Sequence, residues 1–483
     1  MLVLLDLIGV ALLLSLLLTP AVRDLCKRYR LVDPPDTQRK FHPQPIPRLG
    51  GVAVFGAYMA ALGFVLVAPY GGLDLNVPKA LARGFALAPA VLVVFLTGVV
   101  DDLYGLKPWQ KLLGQSIAAV MAYWAGFGIN ALGGTVLPEG LSLVVTVVWL
   151  LALTNALNLI DGMDGLAAGA GLFAVLTTLV AALLHNAWDL AIVTAPLVGA
   201  LLGFLRYNFN PASIFLGDSG SLTVGFLLGC FGALWSHKSA TLLGMTAPFM
   251  AMAIPLLEVA TSIIRRFLSG QPIFSSDRGH IHHRLLARGF TPKRAVLLLY
   301  AAFGVAAALS LLQDVAHNRI GGLILVLFCG AAWMGVQHLG YAEFDVASRV
   351  ILRGNFRGLI HLQIALQRFE RQLSDEPGMD KVVSLIFAGS LEFGFVGVRL
   401  EIADSVFENK PPDFDPNDAW RLRIPLPHDQ AVCLYRARDA QIHPVVLTLF
   451  AQCLERQLRA RLQAGPPVAP AESADLETVS GGT

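Results

Sequence analysis

Long apolar segments alternate with short polar links over the first 340 residues of the chain. A helix needs about 20 apolar residues to cross a hydrocarbon layer about 30 Å thick. The pattern predicts about eleven such helices, near residues 2–22, 50–69, 84–103, 112–129, 141–157, 166–184, 189–206, 221–235, 243–264, 296–313 and 320–338. Basic residues follow the first segment and none precedes it, which favours a retained helix over a cleaved signal peptide. The predicted fold class is therefore an all-α polytopic membrane protein.

Basic residues are unevenly distributed among the links. The links at 23–48 and 265–295 carry seven lysines or arginines each, whereas the five links of opposite parity carry four in total. Because basic links stay in the cytoplasm, we expect the N-terminus outside and the C-terminus in the cytoplasm. Five polar clusters then share the cytoplasmic face and predict one site there: 33–48, 101–111, 155–164, 206–221 and 265–288.

The pattern changes after Gly340, where amphipathic and alternating runs replace the long apolar segments. We expect three regions: a transmembrane domain over 1–339, a small cytoplasmic α+β domain over 340–463 and a disordered tail over 464–483. The tail is rich in Pro, Ala, Gly and Ser, and such segments bury too little apolar surface to fold. The α+β domain shows no catalytic pattern, so a regulatory or partner-binding role is the hypothesis for it.

Composition supports a membrane protein and excludes several other classes. Hydrophobic residues make up 55% of the 483 positions and charged residues only 14%, whereas a soluble domain carries roughly 25% charged residues. The five cysteines are scattered without a CxxC pair, which indicates neither a disulfide framework nor a zinc site. The net charge of +2 is segregated along the chain, and no nucleic-acid partner is expected.

The stretch NALNLIDGMDG, residues 155–165, is the centre of the predicted site. Asn158, Asp161 and Asp164 recur every third residue at the end of an apolar segment, so on a helix they would lie along one face. Carboxylates so close to hydrocarbon are costly unless they face a water-filled cavity, a cation or a partner. A polar turn between helices is the simpler interpretation, but two carboxylates and two amides together favour a site.

Two further acidic motifs lie at predicted helix ends. Asp101 and Asp102 close the third apolar segment and are followed by Lys111. Such carboxylates suit Mg²⁺, a hard cation that prefers oxygen ligands and often shares them with phosphates, although helix-end solvation explains them as well. Asp218 lies between glycines at the start of the eighth segment, where backbone N–H groups favour an anion. It could hold a metal that bridges phosphates, and Asn210 just upstream could instead cap a turn.

Three histidines and a basic loop complete the candidates. His280, His282 and His283 follow Arg278 in the link before the tenth segment. Clustered histidines suggest zinc, but a zinc site needs about four ligands and no thiol accompanies them. A pocket for a diphosphate or a base fits equally well, with arginine for phosphate contacts. The loop that contains Lys40 is either part of this site or an ordinary positive anchor at the membrane surface.

Taken together, these motifs resemble the polyprenyl-phosphate N-acetylhexosamine-1-phosphate transferase family, of the glycosyltransferase 4 type. The matching segments cover roughly residues 30–290 in order: LVDPPDTQRKFHPQPIPRLGG, GVVDDLYGL with KLLGQ, NALNLIDGMDGLAAG, NFNPASIFLGDSGS and DRGHIHHRLL. The HIHH form looks like the bacterial undecaprenyl-phosphate alpha-N-acetylglucosaminyl 1-phosphate transferases. The branch that transfers phospho-MurNAc-pentapeptide usually carries a different histidine run.

The resemblance implies that undecaprenyl phosphate attacks the β-phosphorus of a cytoplasmic UDP-N-acetylhexosamine. The products would be UMP and an undecaprenyl-diphosphate sugar, most simply the GlcNAc form, which would initiate a cell-envelope glycan. The implied partners are the UDP-sugar, undecaprenyl phosphate and the lipid bilayer, and a homodimer is compatible with them. The alternatives are a phospho-MurNAc-pentapeptide transferase of peptidoglycan synthesis and, from another class, a transporter with acidic residues on its path. Transporters place ionisable groups near the bilayer midplane, whereas these clusters lie at segment ends.

The resemblance also implies residue roles. Asp218 would be the ligand of Mg²⁺, for which Mn²⁺ could substitute. The implied catalytic residues are Asp101, Asp102, Asp161 and Asp164. The implied substrate-binding residues are Lys111, Asn158, Arg265, Arg278, His280, His282, His283, Asn210 and Lys40. A phosphate monoester has a second pKa of about 6, so the lipid phosphate needs little help from a base, and direct attack is favoured over a route through an acyl phosphate on an aspartate.

Overall fold

The computed structural model describes residues 1–33, 45–67, 76–132, 135–236, 252–268, 280–315, 330, 356–376, 378–402, 405–411, 414, 419–427, 430–437 and 444–464. The chain divides into two compact units, Met1–Asp345 and Val346–Thr483. The division lies close to the predicted boundary between residues 339 and 340. Each unit is described by itself below.

The first unit is helical throughout most of its described residues. Its helices are α1 (Leu2–Arg28), α2 (Gly50–Val67), α3 (Asn76–Tyr104), α4 (Pro108–Trp124), α5 (Glu139–Ile160), α6 (Leu166–Leu184), α7 (Trp188–Asn208), α8 (Gly217–Ser236), α9 (Ala253–Leu268), α10 (Ile281–Ala287) and α11 (Pro292–Val315). Two short antiparallel ladders join β1 (Val32–Asp33) to β2 (Ile46–Pro47) and β3 (Ala131–Leu132) to β4 (Thr135–Val136).

Six helices in the described residues are long and apolar enough to cross a membrane by length and composition. They are α1, the Leu81–Tyr104 part of α3, α5, α6, α7 and the Pro292–Gln313 part of α11, and α2 and α9 contain shorter apolar stretches. The prediction of a mostly helical, multi-pass membrane protein is therefore confirmed at this level. The count of eleven spans and their orientation stay predictions, and the segment near 320–338 lies outside the described residues.

Helix α1 packs closely against α7. A Cβ atom at Gly199 would lie 2.1 Å from the carbonyl oxygen of Ile8, and one at Gly203 would lie 2.7 Å from Cβ of Ser15. These two glycines let the backbones approach, as small residues do in membrane helix pairs. The Ser15 hydroxyl then donates to the carbonyl of Ala200 at 2.7 Å. The first helix is thus an integral part of the bundle.

The polar ends of α2, α3 and α8 meet at one point, which brings three separate links together. The N–H groups of Gly50 and Gly51 donate to the carbonyls of Phe215 and Leu216 at 3.0 and 2.8 Å. On the other side, a Cβ atom at Gly98 of α3 would lie 2.5 Å from the carbonyl oxygen of Asp218. Backbone contacts at this density fix the start of α8 between the two other helices.

The second unit combines helices with an antiparallel sheet. Helices α12 (Phe356–Asp375) and α13 (Met379–Glu392) precede strands β5 (Gly397–Ile402), β6 (Ser405–Asn409), β7 (Ala419–Pro425) and β8 (Ala431–Ala437), and α14 (Pro444–Ala464) follows them. The strand order is β6-β5-β8-β7, with all neighbours antiparallel. Rings of Phe369, Phe393 and Phe450 pack 4.6 to 6.1 Å apart in its core. The tail predicted over 464–483 lies outside the described residues from 465 onward.

Candidate active site

A cavity of about 390 Å³ lies among the links of the first unit. Its walls come from the β1–β2 ladder, the end of α3, the α5–α6 link, the α7–α8 link, and the start of α8, α10 and α11. Six carboxylates line it: Asp33, Asp101, Asp102, Asp161, Asp164 and Asp218. The structure therefore brings the four predicted catalytic residues and the predicted metal ligand to one cavity, with Asn210 and His283 in its wall.

Helix α8 carries Asp218 in its first turn, and Asp102 holds that turn in place. One carboxylate oxygen of Asp102 accepts the N–H of Asp218 at 2.8 Å and the other accepts the N–H of Ser219 at 2.9 Å. A carboxylate at a helix N-terminus satisfies N–H groups that have no partner within the helix and interacts favourably with the helix dipole. Gly217 precedes them with φ +71°, which glycine adopts without strain. This cap explains why α8 begins at Gly217 rather than near the predicted residue 221.

Substitution of Asp102 should separate this capping role from a chemical one. In Asp102→Asn, the remaining side-chain oxygen still accepts one of the two backbone N–H groups. The amide NH₂ is a donor and faces the second N–H group, which therefore loses its acceptor. We expect the protein to lose about 1 kcal/mol of stability, as helix caps do, and the transfer rate to fall because Asp218 moves. Thermal unfolding in detergent and initial rates measure both. An unchanged melting temperature with a large loss of rate would contradict the capping role.

Lys111 of α4 links Asp101 to Asp218. Its ammonium group lies 2.6 Å from Asp101 Oδ2 and pairs with Asp218 Oδ2. Asp101 also accepts the N–H of Leu106 at 2.7 Å through Oδ1, and the Asn158 amide reaches Asp218 at 3.5 Å. Asp218 is thus the meeting point of α3, α4, α5 and α8. Two predicted substrate-binding residues, Lys111 and Asn158, contact the predicted metal ligand directly.

Asp161 and Asp164 differ in their surroundings. Asp164 Oδ2 accepts the side-chain N–H of Asn210 at 2.9 Å and the backbone N–H of Ala212 at 3.0 Å, so it ties the α5–α6 link to the α7–α8 link. Asp161 ends α5. Burial raises its pKa well above the usual value, and the negative charges of Asp218 and Asp102 raise it further. A nearby cation would stabilise the ionised form of a carboxyl group in this setting.

The donor set fits a hard divalent cation. The cavity presents carboxylate and amide oxygens, which are the ligands that Mg²⁺ prefers, and the described residues that line it include no thiol. Within the described ranges, no three histidine, cysteine or acidic residues are already gathered as a closed metal site. Mg²⁺ commonly uses only one or two protein carboxylates together with water and substrate phosphate. Asp218 and Asp161 are the residues that would hold it here.

Tyr300 of α11 contacts the α5–α6 link, which carries Asp161 and Asp164 and is called the acidic link below. Its hydroxyl donates to the carbonyl of Gly165 at 2.6 Å, and its ring packs so closely that a Cβ atom at Gly169 would lie 2.2 Å from it. Gly165, with φ +76°, is the residue through which the link enters α6. Nothing in the sequence pattern distinguished this tyrosine from an ordinary apolar-face residue.

Removal of the Tyr300 hydroxyl should therefore affect both stability and turnover. In Tyr300→Phe the Gly165 carbonyl loses its donor, and we expect about 1 kcal/mol of destabilisation with a several-fold lower transfer rate. Tyr58→Phe is the matched control, because the Tyr58 hydroxyl donates to the Val193 carbonyl within the α2–α7 interface. The control should lose stability but keep its rate. Equal rates for the two variants would show that Tyr300 does not position the acidic link.

Asp33 and Arg48 also line the cavity, although sequence reasoning selected Lys40 from this loop. They form an ion pair, and the ladder that pairs Val32 with Pro47 brings them together. Lys40 and Arg278 lie outside the described residues. The side chains of Arg265 in α9 and His282 in α10 are also outside the described part of the structure. Of the histidines, His283 faces the cavity, whereas His280 is buried against Glu258 of α9.

Sequence comparison finds known proteins that are similar to this chain. Residues 85–236 match the family model described as glycosyl transferase family 4. A probable undecaprenyl-phosphate N-acetylglucosaminyl 1-phosphate transferase of Bacillus subtilis (strain 168) is 35% identical over 296 residues, which are 60% of this chain and 79% of the relative. An undecaprenyl-phosphate alpha-N-acetylglucosaminyl 1-phosphate transferase of Escherichia coli (strain K12) is 30% identical over 341 residues, 67% of this chain and 87% of the relative.

A relative with a different polyprenyl carrier in its name is equally similar. The decaprenyl-phosphate N-acetylglucosaminephosphotransferase of Mycobacterium tuberculosis (strain ATCC 25618 / H37Rv) is 33% identical over 346 residues, 64% of this chain and 83% of the relative. The three relatives share the N-acetylglucosamine group in their names and differ in the lipid. Asp101, Asp102, Asp161, Asp164 and Asp218 all lie within the residues matched by the family model.

Proposed function

The chain belongs to the polyprenyl-phosphate N-acetylglucosamine-1-phosphate transferases of glycosyl transferase family 4, and from that premise we propose the reaction at its acidic cavity. It transfers GlcNAc-1-phosphate from UDP-GlcNAc to undecaprenyl phosphate. An oxygen of the lipid phosphate forms a bond to the β-phosphorus, and the bond from that phosphorus to the bridging oxygen breaks. The products are UMP, which leaves with the bridging oxygen, and undecaprenyl-diphosphate-GlcNAc. The names of the relatives disfavour the phospho-MurNAc-pentapeptide alternative.

The observation that carries this proposal is the convergence of links far apart in sequence on one acidic cavity. The cavity lies at the ends of apolar helices rather than halfway along them. Such a position suits a reaction between a lipid phosphate and a water-soluble nucleotide sugar, because both substrates can reach the end of a membrane helix. The positive-inside bias of the links supports a cytoplasmic face of the inner membrane for it, where the UDP-sugar would be available.

Phosphoryl transfer of this kind depends on positioning and on neutralisation of charge. Mg²⁺ held by Asp218 and Asp161 would supply the positive charge that the diphosphate needs. Lys111 keeps Asp101 and Asp218 together despite their like charges. Asn158 orients Asp218 and is itself held by the Ser221 hydroxyl at 3.1 Å. Asp164 keeps Asn210 and the loop before α8 in the cavity wall.

Asp101 is better placed to hold Lys111 than to accept a proton or a phosphoryl group. Its Oδ1 is bonded to the Leu106 N–H and its Oδ2 to the Lys111 ammonium. Both oxygens therefore already have donors, which lowers their nucleophilicity. A covalent route would release UMP from UDP-GlcNAc before any lipid is present. Direct attack predicts no such burst and no phosphorylated Asp101 when enzyme and UDP-GlcNAc are mixed without undecaprenyl phosphate.

A donor panel tests the proposed function. The full chain, purified in detergent, is supplied with undecaprenyl phosphate, Mg²⁺ and either UDP-GlcNAc, UDP-GalNAc or UDP-MurNAc-pentapeptide, and UMP release is measured. UMP should appear with UDP-GlcNAc, should require both lipid and divalent cation, and should stop when the cation is chelated. Turnover with UDP-MurNAc-pentapeptide alone would establish the alternative, and no UMP with any donor would refute the proposal.

A further inference from the structure

A buried acid in α9 has no place in the reaction described so far. Glu258 is only 1% exposed, in a helix whose sequence is otherwise largely apolar on both sides of it. A carboxylate buried at a membrane helix is costly unless donors surround it. Its donors come from residues 280 and 281, which are more than twenty positions further along the chain.

Both oxygens of Glu258 are directed at the start of α10. Glu258 Oε1 lies 2.7 Å from Nδ1 of His280, and both carboxylate oxygens lie 3.1 Å from the backbone N of Ile281. His280 is the N-cap residue of α10 and makes no side-chain cap of its own. The carboxylate from α9 therefore satisfies the first N–H of α10 and holds the neighbouring imidazole at the same time.

The pair also fixes which ring nitrogen of His280 faces Glu258. Nδ1 lies against the carboxylate, 2.7 Å from Oε1. Any contact of this ring with a ligand is then made through Nε2. One turn further along α10, His283 faces the cavity, and its ring centre lies 6.2 Å from that of His280. The register of α10, which Glu258 sets, thus decides where His283 meets the cavity.

We propose that Glu258 is a positioning residue for the nucleotide-sugar end of the site. Its contacts with the His280 ring and with the first N–H of α10 fix the orientation of that helix. They thereby hold the His283 side chain next to the place where the diphosphate would bind. This inference rests on the proposed function, because it takes the substrate at His283 to be a nucleoside diphosphate sugar. Glu258 itself touches no reacting atom. Its removal should therefore weaken binding of UDP-GlcNAc, with little effect on the KM for undecaprenyl phosphate.

The first test is the Glu258→Gln variant of the full chain in detergent. The amide replaces one of the two acceptor oxygens with an NH₂ group, which cannot accept an N–H, and it removes the negative charge that faces the imidazole and the Ile281 N–H. We expect the KM for UDP-GlcNAc to rise about 10-fold or more, as befits loss of a hydrogen bond to a charged group, with a smaller change in kcat. Thr261→Val is the matched control, since the buried Thr261 hydroxyl bonds within α9, to the Glu258 carbonyl. The control should keep the KM of the wild-type protein.

A double-mutant cycle with His280→Asn distinguishes positioning from general damage. If Glu258 acts partly through His280, the combined rise in KM falls short of the product of the two single effects by about threefold or more. Effects that multiply would overturn the proposal. Should Glu258→Gln fail to accumulate, Glu258→Asp keeps the charge but withdraws the carboxylate by one methylene, and the same rise in KM is expected. A wild-type KM in either variant also overturns it.

His283→Asn separates this inference from the proposed function. If that variant keeps the KM for UDP-GlcNAc, the assignment of His283 to the diphosphate fails and the inference fails with it. If His283→Asn raises the KM while Glu258→Gln does not, the proposed function stands and only the positioning role is wrong. A rise in both, with the shortfall in the Glu258–His280 cycle, supports both statements.

Discussion

Asp218→Asn should lower the rate of transfer about 10³-fold while leaving the protein folded. The variant keeps the size of the side chain and the backbone N–H that Asp102 accepts, so α8 should retain its start. It loses the negative charge that would hold the divalent cation. Metal stabilisation of a phosphoryl group is worth several kcal/mol, and about 1.4 kcal/mol corresponds to tenfold in rate. We therefore expect kcat to fall about 10³-fold, measured as UMP release at saturating Mg²⁺.

A direct metal measurement accompanies that rate. Binding of Mn²⁺ to the protein, followed by its electron paramagnetic resonance signal in detergent, should weaken strongly in Asp218→Asn. Asp189→Asn is the matched control: Asp189 pairs with Arg83 outside the cavity, and exposed pairs contribute little to stability. The control should retain both rate and metal binding. Normal Mg²⁺-dependent turnover in Asp218→Asn would remove Asp218 from the metal site.

Lys111→Met should produce the second largest loss. Without the ammonium, Asp101 and Asp218 face each other with like charges and no donor between them. Loss of one positioned donor in an active site typically lowers kcat about 10²- to 10³-fold, and we expect that range here, together with a lower melting temperature. Loss of one partner from this partly buried ion pair destabilises because it leaves charge without its counter-ion. Initial rates and thermal unfolding in detergent measure the two effects.

The specificity of the Lys111 result depends on its control. Lys107→Met makes the same change four residues earlier, at an exposed position just before α4. It should leave rate and melting temperature close to those of the wild-type protein. If Lys107→Met and Lys111→Met lose activity equally, the loss reflects the overall charge near the membrane and not the bridge between Asp101 and Asp218.

Much of the helical framework follows from the sequence because its cause is local. Apolar runs of about 20 residues specify membrane helices, and α6 (Leu166–Leu184) begins and ends where the pattern predicts. The start of α8 cannot be predicted from the sequence, because the carboxylate that caps this helix belongs to Asp102 on a different helix. A contact between residues more than a hundred positions apart leaves no periodic signal in the chain.

The candidate site, like the fold, can be predicted from the sequence only in part. Parity of the links predicts that the acidic clusters share one end of the bundle, and the carboxylates of Asp101, Asp161 and Asp218 do line one cavity. Pairings within it could not be predicted, such as Lys111 with Asp218 or Asp164 with Asn210, because they depend on side-chain directions. Glu258 was missed although a lone acid in an apolar segment is itself a signal. Its partner, the start of α10, was visible only in the structure.

The central claim is that the β-phosphate of the nucleotide sugar moves to the lipid together with the sugar. The most direct measurement uses UDP-GlcNAc labelled with ³²P in either the α or the β position, with undecaprenyl phosphate, Mg²⁺ and the wild-type chain in detergent. The β label should pass into the organic phase, and the α label should stay in water as UMP. If the β label stays in water as UDP, or the α label enters the lipid, the reaction described here does not take place.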